Sequence, residues 1–316
     1  CLLSRGLGDV YKRQTLYSAQ KFSNSLKSKN YDCRFDNTQI IDNSSSSYKF
    51  NSTIQEIEKA DAILLIGSNP RWEAAVLNAR IRKAYIENNC KIGLIGPKLD
   101  LTYDYHHLSD SLDYLNKLSN NKSEFNKVLK SAKNPLIILG TSAINNDHGK
   151  KILETAGLIA KKIQKNKNTN PLNILNQDIS RVGALDLKFY NKKFDNDYNK
   201  QLKKHIDKTK PVVFLMGLDE INFSTFENAF VVYLGHHGDV SASIADIILP
   251  TPAYTEKSST YMNIEGRVIQ TTKCHNPIGE AKEEWKIFRV LSDLFEKNLN
   301  FNNLGELRNE LTSTCL

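Results

Sequence analysis

Cysteine is scarce in this sequence, and no two cysteines lie close together. The five stand at positions 1, 33, 90, 274 and 315, with no CxxC or CxxxC pair. Iron–sulfur and structural zinc sites need four ligands, which are usually delivered as closely spaced pairs. No such site is therefore expected in this chain. The odd count and wide spacing favour reduced thiols over a disulfide framework.

Long hydrophobic runs and clustered arginines are also missing. The longest apolar runs, Ala62–Gly67 and Val212–Gly217, fall far short of the roughly 18–20 residues of a membrane helix. The net charge of +8 comes from 33 lysines and 10 arginines that are scattered along the chain. Nucleic-acid-binding surfaces usually gather these residues on one element. We therefore expect a solvated basic surface, no nucleic-acid partner and no direct membrane insertion.

The first fourteen residues do not read as part of a fold. Segment 1–14 resembles the adapter-derived leaders of translated metagenomic reads, and Arg5 interrupts its apolar stretch, which excludes a signal peptide. We predict a non-native leader over 1–14, an α/β region over 15–300 and a tail over 301–316. One or two lobes are equally compatible with the α/β region. The Asn-, Asp- and Lys-rich stretch at about 165–202 predicts an exposed insertion.

A βαβ unit follows Ala60. The run Ala62–Gly67 is typical of a strand buried on both faces of a parallel sheet. Asn69 is a good helix cap and Pro70 suits the first helical position, so one continuous helix is expected from there. A second strand is predicted over Lys91–Ile95.

The same pattern recurs along the chain. Further apolar strands end in glycine at Gly140, Gly217 and Gly235, and helical segments alternate with them. This alternation predicts a doubly wound, mostly parallel sheet. Near the C-terminus, two short extended pieces are expected to turn at Glu265 and Gly266, before an amphipathic helix over about 281–295.

The turn Gly67-Ser68-Asn69-Pro70 is the motif that could carry chemistry. It joins the end of a predicted strand to the start of a helix, where backbone amides can face a phosphate. It is neither GxGxxG nor a Walker loop, so a nucleotide site and a tight, well-capped turn both remain open. His236 and His237 follow Gly235, but neighbouring histidines rarely chelate one metal without ligands from elsewhere. No GxSxG is present, and Cys33, beside Arg34, lacks an identifiable base.

Several blocks of the sequence together resemble a known family. Residues 60–83 (ADAILLIGSNPRWEAAVLNARIRK), with blocks at 31–34, 100–103, 235–239, 245–250 and 254–270, look like the large iron–sulfur subunit of bacterial NADH-quinone oxidoreductase. That enzyme is respiratory complex I. The match covers nearly all of 16–296 and corresponds to the carboxyl-terminal, molybdopterin-oxidoreductase-like region of the large iron–sulfur subunit.

The resemblance implies doubly wound, mostly parallel Rossmann-like sheets of the molybdopterin oxidoreductase type. In active members of that superfamily, the Gly-x-Asn-Pro turn and later strand ends hold a bis-molybdopterin guanine dinucleotide. The complex I subunit is understood to have kept the fold and lost the cofactor. No catalytic residue, metal ligand or cofactor is then expected here, and the vestigial cleft would comprise Gly67, Ser68, Asn69, Pro70, Gly140, Gly217, Gly235 and His236.

The resemblance also implies a cellular context. The 4Fe–4S and 2Fe–2S clusters are expected in an amino-terminal part of the subunit that this chain does not include. Other subunits of the peripheral arm are the expected partners, on the cytoplasmic side of the bacterial inner membrane. Two alternatives remain: a molybdopterin-dependent oxidoreductase with an intact site at 67–70, 140–142 and 217–220, and a generic nucleotide-binding module.

Overall fold

The computed structural model describes residues 12–194, 198–218, 222–238 and 240–315. The helices of this part of the chain are α1 (Arg13–Ser25), α2 (Pro70–Glu73), α3 (Ala75–Asn88), α4 (Tyr114–Ser119), α5 (Phe125–Ser131), α6 (Gly149–Ile163), α7 (Arg181–Asp186), α8 (Tyr198–Thr209), α9 (Val240–Ser243), α10 (Glu284–Leu294) and α11 (Leu304–Cys315). The strands are β1 (Ala62–Ile66), β2 (Lys91–Ile95), β3 (His106–Ser109), β4 (Pro135–Gly140), β5 (Leu172–Leu175), β6 (Val212–Met216), β7 (Phe230–Gly235), β8 (Ile247–Pro250), β9 (Thr260–Met262) and β10 (Val268–Gln270).

The chain divides into two compact units. The first comprises Cys1–Phe35, Asp178–Asn263 and Arg267–Leu316, and the second comprises Asp36–Gln177 with Ile264–Gly266. Within the described ranges, no helix combines the length and the apolar content needed to cross a bilayer.

The second unit is built on a five-stranded parallel sheet in the order β3-β2-β1-β4-β5. Every residue of β1 and β4 is buried, because apolar clusters cover both faces of the sheet. Helix α6 packs on one face through Leu153, Ala156 and Ile159, and α3 packs on the other through Leu77 and Ile81. The predicted α/β class with a parallel sheet is confirmed.

The first unit holds a smaller parallel sheet in the order β6-β7-β8 and an antiparallel β9–β10 hairpin. The hairpin turns at Glu265 and Gly266, as expected, with Gly266 at φ +88°. Helix α10 buries Trp285 and Phe288, but Phe295, which was expected in the same stripe, is 54% exposed. Phe295 lies just after the end of α10 at Leu294, so its helical spacing from Trp285 and Phe288 does not place it on their buried face.

A buried ion pair joins two distant parts of the first unit. Glu284 Oε1 lies 2.8 Å from Lys12 Nζ and 2.9 Å from Lys257 Nζ, and all three side chains are almost fully buried. Burial alone would raise the pKa of Glu284, but the charges of the two lysines outweigh it and lower this pKa to about 2.

The structure differs from the predicted domain boundaries in three places. The expected insertion over 165–202 contains the fully buried strand β5 and the buried residues of α7. Most of the expected tail over 301–316 forms α11 (Leu304–Cys315), with Leu307 and Leu311 buried. Lys12–Gln14 of the predicted leader are packed at the start of α1, whereas residues 1–11 lie outside the described part, so the leader itself stays a prediction.

Candidate functional site

The predicted turn lies at the point where the order of the five-stranded sheet reverses. From β1, the chain continues outward to β2 and β3, and then returns to place β4 on the other side of β1. Ligands of open α/β sheets bind outside the carboxyl ends of the strands at such a switch point. The structure therefore brings Gly67–Pro70, after β1, next to Gly140 and Ser142, at the end of β4.

The two strand ends pack directly on each other. Gly67 has φ +52°, and a Cβ built on it would lie only 2.6 Å from the Cβ of Ala143. A Cβ built on Gly140 would lie 2.3 Å from the carbonyl oxygen of Gly67. That oxygen also accepts a hydrogen bond from Ser142 Oγ. The ends of β1 and β4 are thus in direct contact at the switch point.

Glu73 occupies hydrogen-bond donors of the turn. Its Oε2 accepts from the hydroxyl of Ser68 at 3.0 Å, and its Oε1 accepts from the backbone N–H of Asn69 at 3.1 Å. Ser68 is buried, and its hydroxyl faces this carboxylate. The carboxylate of the chain itself therefore stands where an anionic ligand would bind the same donors.

The helix after the turn is shorter than the sequence predicts. Helix α2 ends at Glu73, and Ala74, at φ −153°, separates it from α3. A four-residue helix leaves little aligned dipole to attract an anion. The expected cap is also wrong, because Asn69 makes no capping hydrogen bond and its buried Oδ1 has no partner within the described residues.

Glu73 is not among the site residues predicted from the sequence. The available signal was an acidic residue in the first helical turn after a capping position, since such a side chain can reach back to the free amides.

The remaining candidates belong to the first unit. Gly217 and Gly235 end the paired strands β6 and β7, and Gly217 has φ +61°. His236 stacks edge-on against His237, with ring centroids 4.3 Å apart. Asp239 and the residues at 219–221 lie outside the described part, so the alternative site at 217–220 is described only in part.

The thiol candidate, Cys33, stands beside a buried ion pair. Arg34, which stands beside Cys33, directs its guanidinium to both carboxylate oxygens of the buried Asp32. Cys33 itself is 2% exposed. In the described ranges, no group of three or more His, Cys, Asp or Glu side chains could hold a metal ion.

Comparison with known proteins identifies the class. The family model described as molybdopterin oxidoreductase matches residues 3–294, so the chain belongs to the molybdopterin oxidoreductase family. Two solved structures share the fold at low identity. The first is the formyltransferase/hydrolase complex (FhcABCD) of Methylorubrum extorquens, with a TM-score of 0.60 and 12% identity over 97% of this chain and 90% of that one. The second is the acetylene hydratase of Pelobacter acetylenicus, with a TM-score of 0.53 and 14% identity over 89% of this chain and 54% of that one.

Within this family, the chain is similar to subunits of NADH-ubiquinone oxidoreductase. The NADH-ubiquinone oxidoreductase 75 kDa subunit of Reclinomonas americana is 39% identical over 283 residues, which are 87% of this chain and 40% of the relative. The mitochondrial 78 kDa subunit of Candida albicans is 42% identical over 267 residues, 83% of this chain and 35% of the relative. These relatives confirm the resemblance to the large subunit of complex I. The chain spans about two fifths of their length.

The turn does not fit the cofactor that this fold family implies. A nucleotide phosphate at Ser68 and Asn69 would meet the Glu73 carboxylate, a like charge at hydrogen-bond distance from the same donors. The backbone of Gly140 also lies directly against that of Gly67. This geometry favours a structural turn over a phosphate cradle.

Proposed function

We propose that this chain is the carboxyl-terminal docking region of the large iron–sulfur subunit of an NADH-quinone oxidoreductase. In this role it contributes to electron transfer from NADH to quinone, coupled to proton translocation, by holding neighbouring subunits and without a redox centre of its own. Similarity to 75 and 78 kDa NADH-ubiquinone oxidoreductase subunits supports the assignment.

The occupied hydrogen-bond donors of the turn Gly67–Pro70 are the observation that carries the proposal. A molybdopterin-dependent enzyme would need free donors and space at the switch point. Here Glu73 engages Ser68 Oγ and the Asn69 amide, and Gly140 packs against Gly67. The turn therefore supports the docking role over the alternative of an intact dinucleotide site.

Exposed apolar side chains of the first unit support a docking role as well. Ile247 and Ile248 are 44% and 52% exposed on β8, the edge of the three-stranded sheet. Leu294, near the end of α10, is 74% exposed. Exposed apolar surface and open strand edges are typical of surfaces that bind a partner.

The context of the subunit belongs to the same proposal. The partners are other subunits of the peripheral arm, and the position is peripheral, on the cytoplasmic side of the membrane in a bacterium. The 4Fe–4S and 2Fe–2S clusters lie in the amino-terminal part of the full-length subunit. Electrons then pass through that part, while this region holds the assembly together.

Substitution at the turn tests the proposal in the assembled complex. Ser68→Ala, introduced into the full-length subunit, removes one donor to Glu73 without adding bulk. We expect the NADH-to-quinone rate per assembled complex to stay at the wild-type value. Glu87→Ala, an exposed change on α3, is the matched control for effects of handling and expression. A Ser68→Ala complex that assembles normally but loses turnover would show that the turn is a working ligand site.

A further inference from the structure

A large apolar cavity lies inside the first unit. Its volume is about 440 Å³, and its walls come from α1, α8, β6 and α10 together with the loop at 28–35. The deepest lining residues are aromatic or aliphatic, among them Phe22, Leu215, Phe226 and Phe288, each at most 4% exposed. The lining belongs entirely to this unit.

The size and chemistry of the cavity are those of a ligand site. Protein interiors are close-packed, and voids larger than a water molecule are few. Small-molecule sites span roughly 300–1,000 Å³ and are lined by apolar and aromatic side chains with a few polar groups. The strand β6 illustrates the difference from a packed core, because only Leu215 of its five residues is fully buried. All five residues of β6 line the cavity.

The mouth of the cavity is marked by its exposed lining residues. Leu26 is 39% exposed, Val212 is 58% exposed and Phe295 is 54% exposed. Asn30 also reaches solvent there, and its side-chain nitrogen lies 3.3 Å from Nε2 of His205. One end of the cavity is therefore open, with a small polar group beside it.

Lysines flank these mouth residues in the chain. Lys27 follows Leu26, Lys29 precedes Asn30, Lys210 stands two residues before Val212, and Lys297 stands two residues after Phe295. All four are exposed. Their ammonium groups have no ion pair or side-chain hydrogen bond within the described part of the chain.

Among the described residues, fewer acidic groups than lysines flank these mouth residues in the chain. Asp32 lines the cavity, but it is held in the ion pair with Arg34. Glu296 is exposed beside Lys297, and Asp293 is paired with Arg289. Among the described residues that flank the mouth residues in the chain, positive charges therefore outnumber negative ones, which favours an anionic group.

We propose that this cavity binds a long-chain fatty acid. The acyl chain lies against Phe22, Leu215 and Phe288, and the carboxylate remains at the mouth near Lys27 and Lys210. An apolar chain suits the apolar lining, and a carboxylate can pair with the lysines, which a neutral apolar molecule cannot do. Binding is reversible and involves no covalent step.

Titration of the full 316-residue chain with palmitate tests the proposal, with calorimetry or displacement of a fluorescent fatty acid as the readout. We expect saturable binding at one site per chain. Hexadecanol, which has the same chain and no charge, should bind more weakly. Ala19→Phe, which places a ring in the cavity, should weaken palmitate binding at least about tenfold, with Val213→Phe as a second filling variant if the first does not fold.

A charge-reversal pair isolates the lysines. Lys27→Glu combined with Lys210→Glu should weaken palmitate binding by up to about fivefold per lysine and leave hexadecanol binding unchanged. The matched control is Lys204→Glu with Lys208→Glu, the same charge change at exposed positions of α8 that border a separate surface depression. This control should bind palmitate as the wild type does.

Three results would overturn the proposal. The first is the absence of saturable palmitate binding to the folded chain. The second is unchanged palmitate affinity in a folded cavity-filling variant. The third is an equal loss of palmitate affinity in the Lys27/Lys210 variant and in the Lys204/Lys208 control. That result would mean that net charge, and not the lysines at the mouth, determines the affinity.

Discussion

Adding a methyl group at Gly67 tests whether the end of β1 is packed against Ala143 as closely as the structure shows. In Gly67→Ala, the new Cβ would lie 2.6 Å from the Cβ of Ala143, at a residue with φ +52°. The left-handed backbone costs a non-glycine residue about 1–2 kcal/mol. Forcing an extra carbon into a packed contact costs about 1–3 kcal/mol more. We therefore expect a loss of about 2–5 kcal/mol in the free energy of unfolding.

Gly157 provides a control of opposite sign in the same unit. It lies inside α6, and a Cβ built there meets nothing within 4 Å. Gly157→Ala should stabilise the chain by about 0.5–1 kcal/mol, because glycine is costly inside a helix. Urea unfolding followed by far-UV circular dichroism measures both variants. A Gly67→Ala chain that unfolds at the wild-type urea concentration or above it would refute the close packing of the two strand ends.

Two further predictions concern the first unit. The pKa of Glu284 is lowered from 4.5 in the unfolded chain to about 2 in the folded chain. Its ionised carboxylate therefore adds to the free energy of unfolding above pH 4.5, and this stabilisation is lost as the pH falls toward 2. The loss is on the order of 3 kcal/mol in the free energy of unfolding. Urea unfolding between pH 2 and pH 4.5 should show that this pH-dependent loss of stability is absent in Glu284→Gln. Trp285→Ala should cost about 3–5 kcal/mol, because the ring is 6% exposed and packs edge-on against Phe301. Native gels should then show less assembled complex with normal activity per complex, whereas normal abundance with a lower rate would make Trp285 part of a functional surface.

Sequence patterns predict the elements whose burial is uniform. The run Ala62–Ile66 forms β1 because the strand is covered on both faces, so an unbroken apolar run is its natural signature. Lys91–Ile95 and Pro135–Gly140 form strands with the predicted bounds for the same reason. Leu77, Ile81 and Ala84 form the buried stripe of α3 at helical spacing.

Patterns fail where burial depends on partners that are distant in sequence. Strand β5 lies in a lysine- and asparagine-rich stretch, yet it pairs with β4 and is wholly buried. Its Asn173 is tolerated there because the side chain accepts a hydrogen bond from the amide of Ser52. Lys12 likewise carries a charge that favours exposure, and it is buried only because it meets Glu284, 272 residues later.

The sequence predicts which strand ends meet at the turn, but it does not predict whether the hydrogen-bond donors of the turn are occupied. The glycine-ended strands correctly place Gly67 and Gly140 at one edge of the sheet. Whether such an edge is open depends on the path of a few atoms, here the Glu73 carboxylate and the carbonyl of Gly67. No periodicity or composition encodes those distances.

The content of molybdenum and guanine nucleotide in the purified chain tests the central claim most directly. The chain should be expressed in cells that synthesise the molybdopterin guanine dinucleotide cofactor, so that a competent site would be filled. Elemental analysis and chromatography of the acid-released nucleotides then measure the two components together. The closed turn predicts no stoichiometric amount of either. Molybdenum and guanine nucleotide present in stoichiometric amounts would contradict the docking role and identify a cofactor-binding oxidoreductase.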